Sequence, residues 1–181
     1  MVIPGTQLDW LVPRDERTVV LRDGARAVVR RLASGEAKVV QEVFDGMSDR
    51  SRYQRFAGAK PILSSRDLEV LTAIDHDHHE AFVAVDPRNG RAVAEAHLVR
   101  DANDSAVGEV AFAVTDEWQG RCLGSRLADI LAKRARQLGI GRVRATMLAD
   151  NSRSLALIQR MGRVATSRYD GSALELEVVL D

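Results

Sequence analysis

The stretch from Val107 to Leu148 constrains the fold of this chain most. VGEVAFAVT (107–115) is an apolar, β-branched run. Residues 121–138 carry Leu123, Leu127, Ile130, Leu131 and Leu138 at helical spacing, with Gly139 just past the end. VRATML (143–148) is extended and apolar again. Strand, helix and strand in this order require a right-handed crossover, and therefore two parallel strands in one sheet.

The remaining segments join by short turns and so add antiparallel neighbours. TVVLRDGARAVVRRL reads as a hairpin around Asp23-Gly24, a type I′ signal. Ser34 is expected to cap a helix carrying Val39, Val40, Val43, Phe44 and Met47. Ser48 opens a second, basic helical piece, SDRSRYQRF; Pro61 interrupts, and Ser64-Ser65 opens a third with Leu68, Leu71 and Ile74. AFVAV (81–85) and AVAEAHLV (92–99) are strands, joined to each other and to the next by DPRNG and RDANDSA. A helix over 152–161 and two strands, VATSRY and ALELEVVL, around Asp170-Gly171 close the chain. The fold class is mixed α/β: a largely antiparallel sheet with one parallel pair and helices on both faces.

A length of 181 residues suits one domain, expected over 18–181 behind an N-terminal tail at 1–17. Formal net charge is zero, so no overall basic field would hold nucleic acid or an acidic membrane. The single cysteine excludes an internal disulfide framework and suits a reducing cytosol. No run approaches the roughly 18 apolar residues of a membrane span, and residues 1–17 lack a signal-peptide pattern. A cytoplasmic protein is expected.

EWQGRCLGSRL (117–127) falls at the strand-to-helix turn of the crossover. The first N–H groups of a helix have no internal partner, and the helix dipole adds partial positive charge there. Small residues let an anion approach, so the turn suits a phosphate or pyrophosphate. On these grounds alone a plain tight turn is equally well supported.

The pattern Q-x-x-C-x-G resembles Q/R-x-x-G-x-G/A, the CoA-binding signature of GNAT-type N-acetyltransferases. The resemblance runs over about residues 18 to 180 and includes EVAFAV, ATMLADNSRSLALIQRMG and the closing hairpin. It implies a GNAT fold in which the two parallel strands splay and acetyl-CoA, a co-substrate, lies between them. It further implies that Gln119, Gly120, Arg121, Cys122, Gly124 and Ser125 hold the pyrophosphate, that the backbone of Phe112, Ala113 and Val114 holds pantetheine and thioester, and that Asn151 and Ser154 make a further contact. Cys122 stands where the family has a glycine. It is read as a small replacement, tolerable if its φ stays negative, rather than as a redox or acyl-carrying thiol.

Direct transfer from thioester to amine needs a base, since an ammonium cannot attack and a free lysine has a pKa of about 10.4. Glu109 is the candidate: it lies on a strand apolar on both faces, where desolvation would lift its pKa towards neutrality. A Glu at the matching position is the base in the bacterial protein-lysine acetyltransferase branch. Glu95 and His97 share one face of their strand and are the second choice, expected on a half-exposed face. The tyrosine acid many members carry is replaced by Ile158.

SDRSRYQRF resembles the S-x-x-S-R-Y-x-R-F segment of that same branch, which implies a protein-lysine acceptor; a small amine is the alternative, as is a non-catalytic acyl-CoA-binding module. Read as a plain solvated helix, it would pack Tyr53 and Phe56 on the core. Branch members often carry a fused regulatory domain, for which 181 residues leave no room. DHDHHE (75–80) contains metal-binding residue types, but adjacent residues in a turn rarely converge on an ion, so no metal is expected. The final hairpin could expose an edge strand through which a homodimer forms.

Overall fold

The structure is a computed structural model and describes residues 16–180; most of the expected tail lies outside the described residues. Eight strands form one sheet in the order β1-β2-β3-β4-β5-β6-β8-β7. The strands are β1 (Arg17–Val20), β2 (Arg26–Arg31), β3 (His79–Val85), β4 (Ala92–Arg100), β5 (Val107–Val114), β6 (Arg142–Leu148), β7 (Gly162–Tyr169) and β8 (Ala173–Leu180). The helices are α1 (Ala37–Asp45), α2 (Asp49–Phe56), α3 (Ser65–Thr72), α4 (Leu123–Gln137) and α5 (Ser152–Gln159). The mixed α/β architecture is the expected one: only β5 and β6 pair in parallel, across α4.

Two cores sandwich the sheet. Against one face, α4 buries Leu123, Leu127 and Leu131 on Ala94, Ala96, Leu98 and Val110. Each such leucine contributes roughly 1.5–3 kcal/mol. Against the other face, Val40, Val43 and Phe44 of α1 meet Ala81, Val83 and Ala113. Strand register then assigns Glu95 and His97 to this second face, because Glu95 lies opposite Val83 and Ala113, and His97 opposite Ala81.

Ser48 and Ser64 are the N-caps of α2 and α3, as expected. Ser48 accepts from Ser51 N, and Ser64 forms a capping box with Asp67. Ser34 is not a cap: α1 starts after Glu36, and the Ser34 hydroxyl donates to the Thr72 carbonyl instead. The first hairpin is where expected, but its turn is not type I′. Gly24 alone in the turn has positive φ, 81°, and the Leu21 N–H bonds the Ala25 carbonyl around a longer loop, with Asp23 Oδ1 accepting from Ala25 N.

Candidate active site

The β5–β6 ladder holds for only three pairs, Val107 with Arg142, Gly108 with Val143, and Glu109 with Arg144. Both strands run on, to Val114 and Leu148, without pairing to each other. The cleft that opens there has a volume of about 630 Å³. Phe112, Ala113 and Val114 line one part of it, Gln119, Gly120 and Cys122 to Ser125 another, and Asn151 with Ser154 and Leu157 of α5 a third. All the cofactor-binding residues proposed from sequence border this cleft except Arg121. Its side chain turns away, over the Trp118 ring and towards Asp23 Oδ2 at 3.4 Å, while its carbonyl accepts from Arg22 N.

The floor follows from two left-handed residues. Gly120 has φ 73° and Cys122 has φ 69°, and Cys122 is the N-cap of α4 with no side-chain cap. The φ of Cys122 is therefore positive, against expectation; the loop must reverse sharply to aim the helix at the cleft, and a Cβ-bearing residue adopts that conformation at a cost. The uncapped first turn, with Leu123, Gly124 and Ser125 on the cleft, presents N–H groups at the positive end of a fifteen-residue helix.

Gln119 is a hub. Its Nε2 donates to the Val114 carbonyl at 3.0 Å, Ser51 Oγ at 3.1 Å and Asp116 Oδ1 at 3.2 Å, and its Oε1 accepts from Arg153 at 2.7 Å. Asn151 is buried, and its Oδ1 caps α5 by accepting from Ser154 N at 3.1 Å. From sequence, Ser51, Gln54, Arg55 and Arg153 were not recognised as cleft residues. Three of them sit in SDRSRYQRF, whose pattern was visible but whose cleft-facing side was not. In that helix Phe56 packs on Phe44 at 5.9 Å between ring centres, whereas Tyr53 is exposed.

Two expectations about carboxylates are reversed. Glu109 is exposed, so the burial argued for it from an apolar strand is absent. It sits at the last position where β5 pairs with β6, and opposite Val99 of β4. Arg144, its neighbour in β6, is held by Glu177 at 2.8 Å and Asp101 at 3.2 Å. Glu95 and His97 are instead the buried pair, each 3% exposed, not half-exposed. Burial acts to raise the Glu95 carboxyl pKa, but the charges of His97, Arg55 and His79 outweigh it and hold it below the ordinary value. Arg55, on the cleft, lies within charge range of both Glu95 and Glu109; burial lowers its pKa, and the two carboxylates oppose that.

The DHDHHE segment is a structured turn. Asp75 Oδ1 accepts from the N–H groups of Asp77, His78 and His79 at 2.8 to 3.0 Å. His76 Nδ1 and Arg134 Nε each lie 2.6 Å from the carboxylate of buried Glu80. Among the described residues no three His, Cys, Asp or Glu side chains are grouped to hold a metal ion.

A parallel strand pair that parts over a helix N-terminus is the strand geometry that the GNAT fold implied above. The family model for acetyltransferases of the GNAT family matches residues 48–162, and the chain belongs to that family. It is 30% identical over 149 residues to Acetyltransferase Pat of Mycolicibacterium smegmatis, covering 81% of this chain. The chain spans 44% of that relative's length. Among solved structures, the GNAT domain of S. lividans PAT is 30% identical and superposes with a TM-score of 0.82, over 97% of this chain and all of that one. A cAMP-binding acyltransferase from Mycobacterium smegmatis is 26% identical with a TM-score of 0.64, over 91% of this chain and 48% of that one.

Proposed function

We propose that this chain transfers an acetyl group directly from acetyl-CoA to a primary amine, in the first place a protein lysine side chain. The observation that carries the reading is the parting of β5 and β6 above the uncapped N-terminus of α4. The α4 amides and the Gly120–Ser125 backbone suit the pyrophosphate, and the β6-facing side of Phe112 to Val114, which pairs with β4 on its other side and not with β6, suits the amides of pantetheine. Similarity to a relative called Acetyltransferase Pat, and the SDRSRYQRF helix beside the cleft, support a protein acceptor. One domain over residues 18–181, with the exposed β7 edge open to a second copy, completes the proposal. No helix among the described residues is long and apolar enough to cross a membrane, and we place the chain in the cytoplasm.

In the proposed reaction the C–N bond forms as the C–S bond breaks. The acceptor ammonium gives up two protons; one ends on the departing thiolate and one goes to solvent. Glu109, at the last β5–β6 pair and not among the residues that line the cleft, is proposed to take the first proton through water. Glu109→Gln should lower kcat by about 10²–10⁴ and leave acetyl-CoA binding unchanged. A rate within about threefold of the parent would remove Glu109 as base. Cys122 in the loop and Ile158 in place of the tyrosine favour a second reading, a non-catalytic acyl-CoA-binding module. Binding of acetyl-CoA without turnover on any amine would select it.

A further inference from the structure

Arg121 of the loop before α4 and Arg22 of the first hairpin exchange places at the cleft. The Arg121 side chain leaves it, lying over the Trp118 ring with its guanidinium 3.4 Å from Asp23 Oδ2. The Arg22 side chain enters it, and lines it together with Gly120 and Cys122. Between the two side chains the backbones are tied, because the Arg22 N–H donates to the Arg121 carbonyl at 3.2 Å. The hairpin loop and the loop before α4 are thus clasped twice, once by backbone and once by a side chain.

The loop that carries Arg22 is itself fixed. Leu21 is buried in the core that α4 shares, and the Gly24 N–H returns to the Leu21 carbonyl at 3.0 Å. The one nearby carboxylate on this loop, Asp23, is engaged at both oxygens, Oδ1 by Ala25 N and Oδ2 by Arg121. Arg22 is left exposed, and its guanidinium makes no hydrogen bond or ion pair with any described residue. Three arginines line the cleft, Arg22, Arg55 and Arg153. Arg153 is bonded to Gln119, and Arg55 has a buried Nε. Of the three, Arg22 alone is both exposed and without an acceptor.

We propose that Arg22 binds the 3′-phosphate of CoA and makes the cleft selective for CoA over its 3′-dephospho form. This rests on the acetyl-transfer reading above, which fixes what such a cation meets. With the pyrophosphate on the α4 amides and pantetheine along Phe112 to Val114, the ribose and its 3′-phosphate lie at the other end of the pyrophosphate, outside the loop. Arg22 reaches the loop from outside as well, since β3 and β4 separate its hairpin from the β5–β6 interval. A phosphate monoester carries about −1.5 to −2 charge at pH 7 and three acceptor oxygens. The helix N-terminus serves the pyrophosphate and leaves this second group without a partner, and a guanidinium fork matches it.

Calorimetric titration of the whole chain with unacylated CoA and with 3′-dephospho-CoA tests this. At low salt the parent should bind CoA about tenfold more tightly than 3′-dephospho-CoA. The gap should narrow as salt rises, because Arg22 is exposed. Arg22→Ala should weaken CoA about tenfold, leave 3′-dephospho-CoA within about twofold and so close the gap. Arg22→Lys, which keeps the charge and loses the fork, should retain a smaller gap. The N–H that meets the Arg121 carbonyl survives both substitutions, and unchanged binding of 3′-dephospho-CoA shows that the cleft has kept its shape. A parent that binds the two ligands equally overturns the inference and leaves the acetyl-CoA reading standing. An Arg22→Ala protein that keeps the parent's gap overturns it too, as does one that loses both ligands to the same extent. A parent that binds neither ligand overturns the acetyl-CoA reading and this inference together.

Discussion

Gln119 and Arg153, both lining the cleft, are joined by a 2.7 Å hydrogen bond that ties the loop before α4 to the first turn of α5. The same carboxamide holds the Val114 carbonyl and Ser51, so four elements meet on one side chain. Gln119→Ala removes all these bonds at once. We expect the Kd for acetyl-CoA to rise about tenfold, in line with roughly 0.5–1.5 kcal/mol per bond partly replaced by water, with kcat changed less than twofold. Calorimetric titration beside steady-state kinetics checks this; an unchanged Kd would show that the loop holds its shape without the hub.

Cys122 occupies a left-handed conformation that glycine adopts freely. Cys122→Gly is expected to stabilise the fold by roughly 0.5–1 kcal/mol, after the larger chain entropy of glycine offsets part of the relieved strain. That corresponds to a rise in Tm of about 2 °C for a chain of this length. Thermal melting of the two proteins side by side is the measurement, and a lower Tm for the glycine variant would contradict the strain.

Gly162 opens β7 against β8 so closely that a Cβ there would run into the Val179 carbonyl. Backbone does not yield as a side-chain end does. Gly162→Ala should therefore destabilise by about 1–3 kcal/mol, read as a lowered urea midpoint with unchanged slope. Gly120→Ala, with open space around it but φ 73°, should cost less, and by strain alone.

Asp75 takes three backbone N–H bonds, those of His79 and Asp77 foremost, and its carboxyl is held well below the ordinary aspartate range. A carboxyl whose pKa is depressed on folding contributes stability that is complete above its unfolded value of about 3.9 and lost as pH falls through the folded value. The urea midpoint should drop between pH 5 and pH 3, and drop less in Asp75→Asn, whose Oδ1 still accepts but does not titrate. Equal losses in the two proteins would assign the acid sensitivity to other carboxylates.

These residues also mark what the sequence makes legible. The crossover, the caps at Ser48 and Ser64 and both hairpin positions follow from local signals: period, side-chain acceptors, and glycine after an aspartate. The cleft residues from Phe112 to Ser125 came from a motif, which encodes backbone shape directly. The depth of Glu95 and Glu109 was not legible, and the two were inverted. Periodicity tells which residues share a face, but depth depends on which strands flank them. Glu95 lies on β4 between β3 and β5 under α1, whereas Glu109 lies where β5 loses β6 as a neighbour. The left-handed φ of Cys122 was hidden for a related reason, since one residue type does not reveal its own dihedral. The hydrogen bonds of Gln119 depend on α2 and α5, which are distant in sequence.

The early end of the β5–β6 ladder has a consequence for the life of the protein outside catalysis. A sheet interrupted between two interior strands has backbone groups that an amide-bearing ligand can satisfy in place of a neighbour. Such a ligand acts as a surrogate strand, and a molecule that binds only the folded chain stabilises it by mass action. Supply of acetyl-CoA would then set the folded fraction as well as the rate. On the acetyl-transfer reading proposed above, a fall in the thioester pool would leave the chain both idle and more open to proteolysis.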